Sequence, residues 1–176
     1  YKRCIELGIK PIIVDMRQPL PKVSKVVTQI GKYKLRPEQE KAVKAILSNK
    51  LGETPFQIGV LDYTVNAGKT LIMSALYLSY KKQLKTLLIT NDSDWLNQAR
   101  DEFKQYLPGE DITFVQGKVL NWSNFTIGMV QSISRNMRFY QQELSKIDMV
   151  LVDEADQGGS KQYQNVLTRL FNTRVR

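Results

Sequence analysis

Apolar residues follow two alternating patterns along the chain, short continuous runs and longer stretches in which they recur every three to four residues. The short runs predict buried strands, and the longer stretches predict amphipathic helices. Strands are predicted at residues 56–61, 85–90, 112–115, 125–130 and 147–152. Strands and helices that alternate in this way are typical of a mostly parallel sheet with helices on both faces, so the predicted fold class is α/β.

The predicted helices lie between these strands. Pro37 stands at a favoured first helical position. The apolar residues Ala42, Val43, Ile46 and Leu47 keep helical spacing before Asn49 and Gly52 end the helix. Three more helices are predicted, at residues 69–82, 94–106 and 161–171. Nearer the N-terminus, residues 11–16 form a further short apolar run. Residues 23–29 alternate as an edge strand does, with Gly31 as a turn.

The composition narrows the possible chemistry. Lys and Arg number 26 against 17 Asp and Glu, and most of the resulting net charge of +9 falls within residues 1–50. This excess favours a polyanionic partner, although a solvated basic surface gives the same count. The single cysteine and the absence of histidine exclude an internal disulfide and histidine-based catalysis. No apolar stretch reaches the ~20 residues of a membrane span, so no membrane contact and a cytoplasmic location are expected.

The loop YTVNAGKT joins the strand at 56–61 to the helix at 69–82. Such a loop presents backbone N–H groups and the positive end of a helix to anionic oxygens. Lys69 would reach the β- and γ-phosphates of a nucleotide, and the Thr70 hydroxyl would ligate Mg²⁺. An incidental glycine turn is the alternative, and the generic pattern has glycine where this chain has Tyr63. The residues predicted to surround the phosphates are Asn66, Ala67, Gly68, Lys69 and Thr70.

Acidic residues follow the strand at 147–152 in the sequence VDEAD. Carboxylates at the carboxyl end of a strand lie where open α/β sheets bind ligands. Asp153 would hold Mg²⁺, and Glu154 would orient and deprotonate the attacking water. Taken alone, the pair is equally compatible with a solvated turn or a helix cap. Together with the loop at Lys69, it predicts a site that binds a nucleoside triphosphate with Mg²⁺ and hydrolyses it.

The ordered motifs in residues 35–176 resemble the first RecA-like domain of superfamily 2 helicases and translocases. LRPEQEKAV resembles the adenine-recognising Q motif with Gln39 as its glutamine, YTVNAGKT resembles motif I, and VDEAD resembles motif II. TLLITNDSDWLNQARDEF resembles motif Ia, and TIGMVQSI resembles the motif that follows it. The last two contact nucleic acid in this family, and candidate contacts here are Ser93, Gln98, Gln131, Ser132, Arg135 and Lys161.

Some positions depart from the family pattern. Family members carry Pro-Thr where this chain has Asn91 and Asp92, and Thr where it has Met129. With Tyr63, these departures keep a second class open, a P-loop NTPase that acts as a switch or assembly ATPase without moving on nucleic acid. A nucleic-acid-binding module with a vestigial nucleotide site is a third, weaker alternative.

Within the superfamily, the opening CIELGIKPIIVDMRQPLP, followed by LRPEQ and AGKT, looks most similar to phage branch-migration helicases of the UvsW type. This resemblance implies that residues 1–20 are the tail of an accessory domain that could bind DNA, 21–36 a connection with an edge strand, and 37–176 RecA-like domain 1. The domain is then incomplete at both ends, and a second RecA-like domain supplies the arginine finger. DNA is expected in preference to RNA, the oligomeric state stays open, and the fragment alone is expected to hydrolyse ATP weakly.

Overall fold

The computed structural model describes residues 21, 23, 25–48, 60–61, 68–80, 83–119, 121–153 and 160–170. A short hairpin precedes a series of helices and parallel strands. In chain order the elements are β1 (Gln29–Ile30), β2 (Tyr33–Lys34), α1 (Pro37–Ser48), α2 (Lys69–Ser79), β3 (Thr86–Thr90), α3 (Ser93–Tyr106), β4 (Ile112–Val115), β5 (Phe125–Met129), α4 (Val130–Arg135), α5 (Met137–Ser145), β6 (Met149–Val152) and α6 (Lys161–Leu167).

The central sheet has the strand order β4-β5-β3-β6 in the described part of the chain, and all its strand pairs are parallel. Thr86, at the start of β3, pairs with Phe125 on one side and with Met149 on the other. Every residue of β3 is buried. This is the burial expected of an inner strand in a parallel sheet whose two faces are both covered.

Helices cover the two faces of this sheet. Because successive side chains of a strand point to opposite faces, Leu87 and Leu88 of β3 enter two different cores. Leu88 packs with Phe103 of α3, whereas Leu87 packs in the core that holds Tyr140 of α5 and residues of α4 and α6. The helix α2 packs on α1 through a third cluster that includes Ile72. The observed layers are those of an α/β RecA-like domain, as the sequence predicts.

Most predicted elements are confirmed. The helix α1 begins at Pro37, and β3, β4, β5 and β6 fall within the predicted strands. The helices α2, α3 and α6 are also present, although α2 ends at Ser79 and α6 ends at Leu167, short of the predicted ends. Alternating patterns of apolar residues were therefore sufficient to locate the parallel strands of the described chain.

Two helices and one edge strand differ from the predictions. The helices α4 and α5 are not predicted, because β5 passes directly into α4 at Val130 without a polar loop. The edge strand at 23–29 is wrong except at its end, since β1 begins at Gln29 and pairs with β2 across the turn at Gly31. The backbone N–H of Val27 instead donates to Ser79 Oγ of α2, at 3.0 Å. Val27 is thus attached to a helix, whereas the Thr28 carbonyl oxygen accepts from the backbone N–H of Leu35, directly after β2, at 2.9 Å.

Two predicted strands fall on residues outside the described part. The strand at 11–16 lies there entirely, and that at 56–61 does so except for Val60 and Leu61. Val60 and Leu61 are described, and neither is part of a strand. Val60 is also 79% exposed. The prediction of a buried strand is therefore wrong at Val60. Among the helices of the described ranges, none has the length and apolar character that crossing a bilayer requires.

Candidate nucleotide site at the carboxyl edge of the sheet

Asp153 lies at the carboxyl edge of the sheet, directly after β6. Its backbone N–H donates to the carbonyl oxygen of Ile89 in β3 at 3.0 Å, which extends the pairing of the two strands by one residue. The hydroxyl of Tyr163 in α6 donates to the Asp153 carbonyl at 3.4 Å. With only 9% of its surface exposed, Asp153 is held where parallel sheets bind ligands. The sequence gives no specific sign of the Tyr163 contact beyond an aromatic residue in a predicted helix.

The first turn of α2 has the features of an anion site. Gly68 precedes the helix in the left-handed region, with φ 76° and ψ 41°, and among the described residues no side chain caps the helix start. Lys69 and Thr70 are the first two helical residues, with Thr70 buried and Lys69 partly exposed. The first backbone N–H groups of a helix have no partner within it, and the helix dipole adds positive potential there. This geometry suits the oxygens of a phosphate.

Gln39 of α1 lies against Gly68, although 29 positions separate them in the sequence. The Gln39 side chain is buried, and its Oε1 accepts a hydrogen bond from the backbone N–H of Arg36 at 2.9 Å. Its Nε2 lies 2.5 Å from the position that a Cβ atom on residue 68 would occupy. The structure therefore brings the predicted Q-motif glutamine to the glycine of the predicted phosphate loop.

The helix α2 also packs near β6. Leu151 of β6 contacts the cluster that contains Leu71 and Ile72, which directly follow Thr70 in α2. Asp153 comes two residues after Leu151. The elements that carry Lys69, Thr70 and Asp153 are thus neighbours in the core. Three further candidates, Glu154, Asn66 and Ala67, lie outside the described residues.

The oxygen donors available here suit a hard divalent cation. The Thr70 hydroxyl and the Asp153 carboxylate are ligands of the type that Mg²⁺ prefers. Within the described ranges, no cluster of three or more His, Cys, Asp or Glu side chains could hold a metal by itself. Since Mg²⁺ commonly uses one or two protein ligands and completes its shell with water and phosphate oxygens, these donors fit that ion.

Asp92, one of the departures from the family pattern, caps the helix α3. Its Oδ1 accepts from the backbone N–H groups of Asp94 at 2.8 Å and Trp95 at 3.1 Å. A carboxylate in this position stabilises a helix start both by hydrogen bonding and through the helix dipole. Asp92 therefore has a structural role that the sequence comparison alone did not reveal. Its charge lies beside Ser93, which is exposed.

Gln131 and Ser132 lie in the first turn of α4 and connect neighbouring loops. Gln131 Nε2 donates to the carbonyl oxygen of Asn91, after β3, at 3.2 Å. Ser132 Oγ accepts from the backbone N–H of Gly117, after β4, at 3.2 Å. The Gln131 Oε1 atom is buried and has no hydrogen-bond partner in the described structure. These two residues thus join the segments that follow β3 and β4 to the helix that follows β5.

The other candidate contacts with nucleic acid are exposed and lie on three helices. Gln98 of α3 donates to Glu102 Oε1, one turn further along the helix, at 3.1 Å. Arg135 ends α4, and Lys161 begins α6. Like Ser93, these three residues are exposed to solvent, so an extended ligand could reach them. No described contact joins the four residues to each other.

Comparison with known proteins identifies the family of this chain. Residues 32–176 match the family of the type III restriction enzyme, res subunit (ResIII), and the chain belongs to that family. Its fold is that of an α/β RecA-like domain, and the family is of the superfamily 2 helicase type. Over 137 residues, 77% of the chain, it is 25% identical to a protein of Acanthamoeba polyphaga mimivirus described as an ATP-dependent RNA helicase, L396. The chain spans about a quarter of the length of that relative.

Proposed function

We propose that this chain is the first RecA-like domain of a DNA helicase or translocase that couples ATP hydrolysis to movement on DNA or to its remodelling. The observation that carries the proposal is the contact of Gln39 with Gly68 at the start of α2. In a nucleotide motor, this contact links the base-reading residue to the phosphate loop. Membership of the ResIII family supports a helicase-type motor.

Each predicted site residue has one role in this proposal. Lys69 binds the β- and γ-phosphates, while the backbone of Asn66, Ala67 and Gly68 surrounds them. Gln39 reads the edge of the adenine. Glu154 orients the attacking water and accepts its proton. Thr70 and Asp153 hold Mg²⁺, which neutralises charge on the phosphates when it is bound.

The proposed nucleic-acid partner is DNA. The resemblance of the opening residues to phage branch-migration helicases supports DNA, whereas the mimivirus relative carries an RNA helicase name. In this proposal, residues 1–20 end an accessory domain, 21–36 connect it to the motor, and 37–176 form RecA-like domain 1, which acts with a second RecA-like domain. The nucleic-acid backbone contacts the exposed or edge residues Ser93, Gln98, Gln131, Ser132, Arg135 and Lys161.

The test is the ATPase activity of the full-length protein with Lys69→Ala. The variant is expected to lose hydrolysis both without nucleic acid and with single-stranded DNA, forked DNA or RNA. Lys104→Ala, which removes an exposed lysine from α3, is the matched control and is expected to leave these rates unchanged. Undiminished hydrolysis by Lys69→Ala would contradict the assignment of the phosphate loop, and stronger stimulation by RNA than by DNA would contradict the DNA proposal.

A P-loop switch or assembly ATPase is the second candidate. The carboxylate of Asp92 favours it, because a negative charge beside the exposed Ser93 repels the phosphates of a nucleic acid. In the same assay, hydrolysis that depends on Lys69 but responds to none of the nucleic acids would select this candidate over the motor.

A further inference from the structure

A cleft separates α5 from the residues that follow α6. Its volume is about 160 Å³, and Met137, Arg138, Gln141 and Arg169 line it. Both arginines are exposed, and neither takes part in an ion pair among the described residues. Two guanidinium groups at one opening repel each other, so an anion bound between them would be stabilised by both.

The acidic residue on α5 is not available to neutralise these arginines. Glu143 Oε2 contacts Lys85 Nζ at 2.6 Å, and its Oε1 contacts Lys146 Nζ at 2.7 Å. Helical residues are ~100° apart around the axis, so Glu143, two positions after Gln141, points away from the side of α5 that lines the cleft. The lining residues themselves include no carboxylate. The cleft therefore keeps a positive potential.

The cleft lies on the flank of the domain rather than at the carboxyl edge. The chain leaves that edge through α4 and α5 to reach the start of β6, and it leaves it again through α6. Arg169 comes eight residues after Lys161, which corresponds to roughly 12 Å along a helix axis. A ligand in the cleft is thus displaced from the predicted nucleotide site and from the start of α6.

We propose that this cleft, the Arg138–Arg169 cleft, binds a phosphate of the nucleic-acid backbone and forms a second contact on the flank of the motor domain. The proposal rests on the proposed function, because it assumes that the protein binds nucleic acid. Arginine forks match the paired oxygens of a phosphodiester, and the Gln141 amide adds a neutral donor. Met137 supplies an apolar wall against which a sugar can lie.

The experiment compares the full-length protein with the double variant Arg138→Gln/Arg169→Gln. Affinity for single-stranded DNA is measured at several salt concentrations, together with ATP hydrolysis in the absence of DNA. Since each phosphate contact contributes roughly 0.7 to the slope of log affinity against log salt for a single strand, loss of the one phosphate contact proposed here is expected to reduce the slope by about 0.7. Hydrolysis without DNA is expected to stay unchanged. Arg138→Lys/Arg169→Lys, which retains the charge but loses the forks, is expected to be intermediate.

The control variant Lys34→Gln/Lys104→Gln removes the same charge from exposed positions elsewhere. If it reduces the affinity and the slope as much as the arginine variant does, the effect is one of net charge and the cleft is not a site. If the wild-type protein binds DNA and the arginine variant shows the same slope, the proposed phosphate contact in the cleft is wrong, while the proposed function still stands. Wild-type protein that hydrolyses ATP but binds no nucleic acid overturns the proposed function as well.

A further measurement distinguishes binding of a nucleic-acid phosphate in the cleft from binding of free phosphate. Inorganic phosphate is titrated into each protein at constant ionic strength, and its binding is measured by calorimetry. Weak phosphate binding that the arginine variant loses, together with its lower DNA affinity, supports the proposal. Phosphate binding that is lost while DNA affinity stays unchanged would assign the cleft to a free anion and overturn it.

Discussion

The two edges of the central sheet are completed in different ways. At the amino edge, polar groups of neighbouring segments satisfy each other. Lys85, before β3, and Lys146, before β6, share the carboxylate of Glu143 in α5. The backbone N–H of Lys85 also donates to Asp148 Oδ2 at 3.0 Å, and the Asp148 N–H donates back to the Lys85 carbonyl at 2.8 Å. This edge contains a closed network of charges and hydrogen bonds.

The carboxyl edge is only partly closed in the described structure. No side chain caps the start of α2, Gly68 has a left-handed backbone, and Gln131 Oε1 is buried without a hydrogen-bond partner. The unpartnered buried oxygen and the uncapped helix start cost free energy in the isolated domain, whereas the left-handed backbone at residue 68 costs little because that residue is glycine. Natural domains retain such costs chiefly where they bind ligands. The comparison indicates that the amino edge stabilises the fold, whereas the carboxyl edge is arranged for chemistry.

The largest expected effect comes from exchanging Glu for Gln at the position directly after Asp153. Glu154→Gln removes the proposed general base, so ATP hydrolysis by the full-length protein is expected to fall by ~10² or more. Its free energy of unfolding is expected to change little, since the substitution preserves size. The measurements are the steady-state ATPase rate and urea unfolding. Near wild-type hydrolysis by this variant would refute the catalytic role of Glu154.

The same exchange at the amino edge is the matched variant. Glu143→Gln removes the counter-charge that Lys85 and Lys146 share in a network that is partly buried at Lys85 and exposed at Lys146, and the expected cost is about 2 kcal/mol of unfolding free energy. The ATPase rate at 25 °C is expected to remain that of the wild type. A variant that loses hydrolysis but keeps its stability would break the contrast between the two edges.

The pH dependence sharpens this contrast. Burial raises the pKa of Glu143, but hydrogen bonds and positive charge from Lys146 and Lys85 outweigh it and hold the pKa below its ordinary value of 4.5. The folded form therefore binds the proton more weakly than the unfolded form, and this stabilisation is complete above pH 4.5 and lost as the pH falls below it. The difference in stability between wild type and Glu143→Gln should shrink in that acidic range.

The elements that carry both edges follow largely from local sequence. Apolar periodicity predicts the strands β3 to β6, and Pro37 predicts the start of α1. The positions of Asp153 after β6 and of Lys69 at the start of α2 agree with their motifs. Apolar periodicity predicts these elements because burial of one face of a strand or helix determines the spacing of its apolar residues.

The contacts that complete the edges could not be predicted in the same way. Glu143 binds Lys85 across 58 positions, and Gln39 meets Gly68 across 29, so both contacts depend on the packing of whole elements. The helix that carries Glu143 was itself missed. Its Tyr140 and Leu144 have helical spacing, but the strand before it ends without a loop to mark the change.

The smallest expected effect tests the contact between Gln39 and Gly68 at the carboxyl edge. Gly68→Ala places a Cβ atom 2.5 Å from Gln39 Nε2 on a backbone with φ 76°, whereas Gly31→Ala has a similar φ of 55° and nothing within 4 Å. Backbone strain alone costs roughly 1 kcal/mol in both variants, so any additional loss at Gly68 measures the contact. Urea unfolding of each variant provides the comparison.

Truncating the Gln39 side chain distinguishes the cost of backbone strain at residue 68 from the cost of steric overlap with Gln39. In the background Gln39→Ala, the Cβ atom on residue 68 no longer meets the amide, and Gly68→Ala should cost only the strain measured at Gly31. Nucleotide affinity, measured with a fluorescent ATP analogue, should fall in Gly68→Ala because displacement of Gln39 disturbs both the base and the phosphate contacts. Equal stability of the two glycine variants, together with normal nucleotide binding by Gly68→Ala, would show that Gln39 and Gly68 do not act together. The contact between them would then no longer support the proposed function.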